Sequence, residues 1–379
     1  MARHHTPRSY WRLLLPLLLV VIYLGGGCSK LRTGLERWVD TTFGNATPRE
    51  EYRWAKPFNA ATLAAWDTAF TRTLEDTLRI NLPHQEVFTP DTSVRNTAHA
   101  WRFFLPPGRR LQITGEAPIG QPLFGELYRD GERLLSWDTL SRGLAYESLT
   151  PRGEELLFVL QSAPYPTADY TVTFRSVPAL LFPVAGLDEG AIRSFWGASR
   201  DGGRRRHEGN DIFAPRGTPL LAVTDGRVSR VRNGGLGGKT IWLRDGDRGL
   251  SYYYAHLDSQ LVRSGQYVRR GDTLGLVGNT GNARTTPPHL HFGIYANGAR
   301  DPYPYLQHND AAPDPPQALP RRTVVPERGR HYLRITPQRE SANVIRQLTA
   351  GEVLEDLGTT GRYHRVRMAT GELGYVNFD

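Results

Sequence analysis

Cysteine is nearly absent from this 379-residue chain; Cys28 is the only one. An intramolecular disulfide is therefore excluded, and so is a metal site built on thiolates. Any metal must be held by His, Asp or Glu. Acid is in deficit, with 38 Asp and Glu against 47 Lys and Arg, a formal net charge of +9. That excess suits an anionic partner such as nucleic acid, acidic lipid or acidic wall polymer. It suits ordinary solubility equally, so it singles out no function. Residues 13–24 form an apolar run of only 12, too short for a comfortable membrane-spanning helix. No long helical pattern interrupts residues 180–306. Glycine (39) and proline (27) are plentiful by contrast, which fits many short strands joined by turns. The length allows roughly two or three domains.

The apolar run is flanked as an export signal is. Arg3, His4, His5, Arg8 and Arg12 precede it; Gly25, Gly26 and Gly27 follow, ahead of Cys28. The segment resembles a bacterial lipoprotein signal, in which the cysteine is lipidated and becomes the new N-terminus. It departs from that pattern at Gly25, where an apolar residue is usual; Leu24 stands one place further back. Cleavage without lipid, or an uncleaved anchor, fits the same run. The expectation is export to the cell envelope or periplasm, with Cys28 carrying a lipid anchor to the membrane.

Beyond the signal segment 1–28, the chain reads as an all-β-dominated multidomain protein with a short helical N-terminal region. In residues 29–80, Thr47, Pro48, Glu50 and Glu51 mark a helix start, and Leu63, Trp66, Phe70, Leu74 and Leu78 recur at helical spacing. Residues 81–178 hold short alternating segments at 100–105, 110–114, 123–129, 155–161 and 170–174, with turn signals at Pro106-Pro107-Gly108 and Asp130-Gly131. They predict a β-sandwich, similar in texture to the jelly-roll-like accessory domains beside secreted bacterial peptidases. Residues 180–306 predict an antiparallel β core with strands at 218–223, 227–232, 240–243, 250–256, 267–268, 273–277 and 290–295. A stiff proline-rich linker follows at 307–321, then five short apolar runs in 322–379 that predict a small β-barrel.

Five residues in the core region carry metal-site chemistry. His289 and His291 are two apart, so on a strand they leave the same face and can meet one metal, or one can bind while the other serves a substrate. His207 and Asp211 are four apart, but Gly209 and Asn210 between them argue for a loop or strand entry over a helix. His256 follows Tyr253-Tyr254-Ala255. Each piece alone is weak, since isolated histidines are common on surfaces. The segment 233–240 ends like a phosphate loop, but Asn233 stands where that pattern needs glycine, and no helix pattern follows. It reads as a flexible hairpin loop beside the groove. Nucleic acid is not an expected partner.

The combination resembles the lysostaphin/LytM-type zinc endopeptidases, secreted bacterial wall hydrolases. The elements that carry the resemblance are His207-Glu208-Gly209-Asn210-Asp211, Tyr254-Ala255-His256-Leu257 and Pro288-His289-Leu290-His291-Phe292, in that order. Supporting segments lie at 213–219, 222–228, 268–272 and 277–281. The resemblance implies one Zn²⁺ per chain, with His207, Asp211 and His291 as ligands. His256 and His289 would be the pair that handles protons and the developing oxyanion. The order of those two roles stays open. It further implies hydrolysis of peptide cross-links in peptidoglycan; glycyl–glycine bridges and D-alanyl–diaminopimelate links are both handled within the family. Asn210 departs from the aliphatic residue more usual there. The last segment, with Leu333-Arg334-Ile335, residues 348–353 and Gly374-Tyr375-Val376, resembles the bacterial Src-homology-3-like domains of wall hydrolases. Tyr375 stands where tryptophan is usual, and Arg334 where asparagine is expected.

Overall fold

A computed structural model describes residues 46–89, 97–137, 143–148, 150, 152–308 and 322–378. The export segment with Cys28, and the linker from residue 309 to 321, lie outside the described residues. The chain divides into two compact units, meeting at Asn59 and Ala60. In the first, helix α1 (Pro48–Ala55) starts as its sequence predicts. Thr47 Oγ1 accepts from Glu50 N at 3.1 Å, the Glu50 carboxylate accepts from Thr47 N at 2.7 Å, and Pro48 takes the first helical position.

The second unit is mostly β. It opens with helix α2 (Ala60–Thr73), which buries Trp66 and Phe70; the Trp66 indole donates to the Ser162 carbonyl at 2.8 Å. The helix stops short of Leu74 and Leu78. Thr73 Oγ1 bonds back to the Phe70 carbonyl, and Asp76 takes the Leu78 amide, turning the chain out of helical register. Eight strands follow: β1 (His84–Phe88), β2 (Ala98–Leu105), β3 (Arg109–Glu116), β4 (Leu123–Arg129), β5 (Glu132–Trp137), β6 (Leu144–Glu147), β7 (Glu154–Ser162) and β8 (Tyr170–Pro178). β2-β7-β4-β5 form one sheet, while β1-β8-β3-β6 belong to another. Trp101, Phe103, Leu111, Phe158 and Phe174 fill one core cluster among these strands.

Residues 192–300 make the strands that hold the five candidate residues. They are β9 (Ile192–Ser194), β10 (Ser199–Arg200), β11 (Arg205–Arg206), β12 (Asn210–Phe213), β13 (Pro219–Leu221), β14 (Gly226–Arg232), β15 (Thr240–Asp245), β16 (Leu250–Ala255), β17 (Ser259–Gln260), β18 (Tyr267–Val268), β19 (Thr273–Leu276), β20 (His289–Tyr295) and β21 (Ala299–Arg300). The main sheet runs β18-β14-β15-β16-β20-β12-β9, and β13-β19-β17 form a second. All pairings are antiparallel. Ile212, Leu243, Tyr252, Tyr254, Leu290, Phe292 and Ile294 form the dry side. Tyr254 fastens β16 to the 221–223 segment: its hydroxyl donates to the Leu221 carbonyl at 3.0 Å and accepts from Val223 N at 3.1 Å. Helix α3 (Tyr303–Leu306) closes this region. The Tyr305 ring lies where a side chain at Gly108 would stand, which makes glycine necessary there.

The last strands are β22 (Arg322–Val324), β23 (Tyr332–Arg334), β24 (Val344–Gln347), β25 (Val353–Thr360), β26 (Tyr363–Met368) and β27 (Leu373–Val376). They are joined to the earlier strands. β1 pairs with β8 on one side and β25 on the other, through Val87↔Thr359 and Phe88↔Gly358, so one ten-stranded sheet runs through both regions. Tyr375 is fully buried in the same cluster as Trp101. Between them, Arg365, one per cent exposed, donates to Asp76 at 3.1 Å and to the Ala100 carbonyl at 2.8 Å, and lies 3.6 Å from Glu86. Among the described residues no helix is long and apolar enough to cross a membrane.

Candidate metal centre and cleft

β20 lies between β12 and β16, and strand alternation divides its residues. Leu290, Phe292 and Ile294 enter the core, while His289 and His291 line a cleft of about 670 Å³. The register does the rest. Asp211 stands directly opposite His291, and Phe213 opposite His289, where the two rings stack at 5.0 Å. On the other flank the small Ala255 is the partner of His291. His207 sits in the turn entering β12 and is buried.

His256 reaches the cleft by breaking this rule. Tyr252 and Tyr254 point into the core, so simple alternation would send residue 256 there too. Instead His256 has φ +66°, an uncommon backbone state for a non-glycine residue, and its side chain lines the cleft. The segment 233–240 holds it there: the His256 amide donates to the Gly237 carbonyl at 2.8 Å, and the Leu257 amide to the Lys239 carbonyl at 3.1 Å. That segment connects β14 to β15 with no helix after it.

Three donor atoms converge. His207 Nε2 is 3.0 Å from Asp211 Oδ1 and 2.9 Å from His291 Nδ1, and the last two are 3.0 Å apart. His207 Nδ1 lies 2.9 Å from the Phe195 carbonyl, which can only accept, so Nδ1 carries a hydrogen and Nε2 is the atom turned toward Asp211 and His291. The three atoms are placed to share one cation. Spacings near 3 Å fall within what one ion with ligands at about 2.0–2.1 Å can span. Two imidazoles and a carboxylate, with no thiolate, suit Zn²⁺. Burial opposes charge on Asp211, but its contacts with His207 and His291 outweigh this and hold the carboxyl well below its usual range. Burial pushes His291 down, favouring the neutral form a ligand needs.

The other two histidines share one arrangement. His256 Nδ1 bonds the Thr280 carbonyl at 2.9 Å, and His289 Nδ1 the Pro287 carbonyl at 2.8 Å. Each carbonyl fixes the hydrogen on Nδ1 and leaves Nε2 as the working atom. The rings meet edge-to-face at 5.1 Å. Burial lowers His256 to about 4, so it is neutral at neutral pH and able to accept a proton.

Three residues support the site, and Arg200 among them escapes a reading of the sequence. Arg200 donates to Asp211 Oδ2 at 2.6 Å and to Ser194 Oγ at 2.6 Å, orienting the carboxylate from behind. Asn210, fully buried, accepts the Trp196 amide at 2.9 Å and so secures the segment whose Phe195 carbonyl orients His207. This explains a polar residue where an aliphatic one is more usual. At Gly209 a Cβ would lie 2.5 Å from the Phe292 carbonyl oxygen and 2.8 Å from His291 Nε2, so only glycine lets the His207–Asp211 turn approach β20. Glycine and asparagine are both visible in the motif; the contacts they make are not.

Comparison with known proteins places this geometry. The model of peptidase family M23 matches residues 205–302. The catalytic domain of the antimicrobial peptidase lysostaphin from Staphylococcus simulans is 34% identical, over 30% of this chain and 89% of that one, with TM-score 0.27. Residues 205–302 are a peptidase family M23 domain. A zinc-containing peptidase from Vibrio cholerae is 32% identical over 34% of this chain and 40% of its own, with TM-score 0.29. An L-Ala–D-Glu endopeptidase of Bacillus subtilis is 38% identical over 139 residues, 33% of this chain and 42% of that protein. The chain thus spans less than half the length of the curated relatives it matches. Zinc is the cofactor of the M23 family, and the His207, Asp211 and His291 cluster is able to hold a metal ion.

Proposed function

We propose that this protein is a zinc-dependent endopeptidase that hydrolyses peptide cross-links of peptidoglycan in the bacterial cell envelope. One observation carries the reading: a three-donor cluster and two histidines with free Nε2 atoms open into the same cleft. His207, Asp211 and His291 would hold the metal. When bound, zinc supplies Lewis acidity, acidifying water and polarising a carbonyl oxygen. His256, neutral, takes a proton at Nε2 and returns it to the leaving amine. His289, whose ring meets that of His256 edge-to-face at 5.1 Å, would donate from Nε2, when that atom carries a proton, to the oxygen that becomes negative. The positions of the two rings admit the exchange of these roles. The names of the relatives, one an L-Ala–D-Glu endopeptidase, support a wall peptide as substrate.

The same proposal extends to the rest of the chain. The sandwich strands of 81–178 and the Src-homology-3-like barrel of 322–379 would position the catalytic region on the wall. Cys28 would carry a lipid that holds the protein at the membrane, on the strength of the basic, apolar and small-residue layout before it. The test is digestion of purified peptidoglycan by the zinc-loaded chain, with mass spectrometry of the fragments. Release of new peptide termini that chelation abolishes is expected. Stoichiometric zinc without any released fragment would replace the enzyme reading by that of a wall-binding module.

A further inference from the structure

We infer that Thr280 is a positioning residue for His256: its hydroxyl closes a ring of hydrogen bonds that keeps the imidazole turned into the cleft. This rests on the peptidase reading above, in which His256 moves a proton. Three segments meet here. They are 236–239, in the loop that ends like a phosphate loop, 256–258 after β16, and 280–282 between β19 and β20. Thr280 Oγ1 accepts from Lys239 N at 2.9 Å and donates to the Leu257 carbonyl at 2.9 Å. The Leu257 amide donates in turn to the Lys239 carbonyl at 3.1 Å, which closes the ring. A hydroxyl can donate and accept at once, as this place requires; an apolar side chain does neither. The Thr280 backbone brackets His256 as well. Its amide donates to the His256 carbonyl at 3.3 Å, and its carbonyl accepts from His256 Nδ1 at 2.9 Å.

The contact leaves no room for a spacer. A side chain at Gly238 would fall on Thr280 Oγ1, and one at Gly281 on the Leu236 carbonyl, so the segments touch backbone to backbone. His256 needs that support. Its φ of +66° is a sparsely populated state for a residue with a side chain, and such states persist where the surroundings over-determine them. The ring supplies this by fixing the following residue, Leu257, through both its amide and its carbonyl. With the ring opened, His256 is free to relax toward the extended state, where strand alternation turns its side chain away from the cleft. Thr280 itself does not line the cleft, so its hydroxyl acts on the chemistry through His256. The metal ligands stand on β20, on β12 and in the turn before it, outside the ring.

The experiment compares T280V and T280S with the parent, each as the zinc-loaded full chain. Valine keeps the shape of threonine and removes donor and acceptor together; serine keeps both. Amide hydrogen exchange is read by NMR. In T280V the His256 and Leu257 amides should exchange roughly tenfold faster, although both bond to the 233–240 loop and not to Thr280, and T280S should restore the parent rate. Turnover is read on soluble cross-linked peptides prepared from purified peptidoglycan. T280V should lose about 10–100-fold in kcat, with KM within about twofold and zinc stoichiometric, while T280S stays within about threefold of the parent. A hydroxyl that served stability alone would lower the unfolding midpoint and leave kcat per zinc-loaded chain unchanged, and that result overturns the inference. So does unaltered exchange of both amides in T280V, or a T280S as slow as T280V. Should T280V not fold, T280A, which admits water to both freed groups, takes its place with the same expectations. A parent chain that cleaves nothing, or a His256→Ala chain as active as the parent, would instead strike the peptidase reading; the exchange comparison still decides whether Thr280 holds His256.

Discussion

Replacing Arg365 by Met tests whether the C-terminal strands are an integral part of the larger unit. Arg365 lies on β26, yet its partner Asp76 precedes the sandwich strands and its partner Glu86 lies on β1, and it faces the Trp101 ring at 5.1 Å. Methionine fills much of the same volume but leaves two nearly fully buried carboxylates without their cation. Removing one partner of such a buried set costs about 3–5 kcal/mol. With a urea m-value of roughly 3 kcal/mol/M for a unit of this size, the unfolding midpoint should fall by about 1–1.7 M at pH 7. The pH dependence is more diagnostic. Burial by itself would raise the Glu86 carboxyl; the Arg365 charge and bonds from His84 and Trp101 bring it below its ordinary value. In the unaltered protein Glu86 therefore adds stability above its unfolded pKa of about 4.3, and that stability is lost as pH falls through the lower folded value. Without Arg365, burial dominates and the folded carboxyl prefers its proton. The gap between variant and parent should be widest near pH 7, begin to narrow as pH falls through the variant's raised folded value, and go on narrowing through the parent's lowered one. Urea unfolding followed by tryptophan fluorescence, with chelator present throughout so that metal loss does not contribute, reads both quantities. A loss below about 1 kcal/mol, or one independent of pH, would refute the reasoning.

Four further outcomes follow from the site. Asp211→Ala and His291→Ala should each lose zinc, measured by metal analysis after dialysis, with the β fold kept by circular dichroism; stoichiometric zinc in either sinks the ligand assignment. His256→Ala and His289→Ala should retain zinc and lose about 10²–10⁴-fold in wall-cleaving rate. Loss of metal in His289→Ala with retention in His291→Ala would show that the two roles are reversed. Gly209→Ala should weaken zinc by at least about tenfold in competition with a chelator, because its Cβ would press on Phe292 and His291; native affinity would mean the turn has room to yield. Cys28→Ser should shift the protein from the membrane fraction to the soluble one, or leave a precursor, and identical fractionation would count against lipidation.

The five candidate residues stood out in the sequence as a combination of short elements, each weak alone. A His-x-His pair on a strand must share a face, and β20 obeys. The helix start at Thr47 and most core strands were legible because capping residues, turn dipeptides and short alternating runs act within a few residues of themselves. What supports the site was not. Arg200 and Asp211 meet because β9, β12 and the β10–β11 hairpin converge, and nothing in the run of arginines at 204–206 marks residue 200 as the one that holds a carboxylate. His256 enters the cleft only through a backbone state that strand periodicity predicts against.

By itself the sequence determined the exclusion of thiolate chemistry and the predominance of strands, since these depend on residue type and short spacing; the proposed donor set rested on resemblance to a family. Tertiary structure alone decided that β1 pairs with β25 across some 270 residues, that Arg365 is buried against carboxylates from the other end of the unit, and that Arg200 meets Asp211 beside the cleft. Such contacts join segments whose local preferences are satisfied equally well apart. Sheet pairing and the burial of charge, which no short window of residues contains, bring them together.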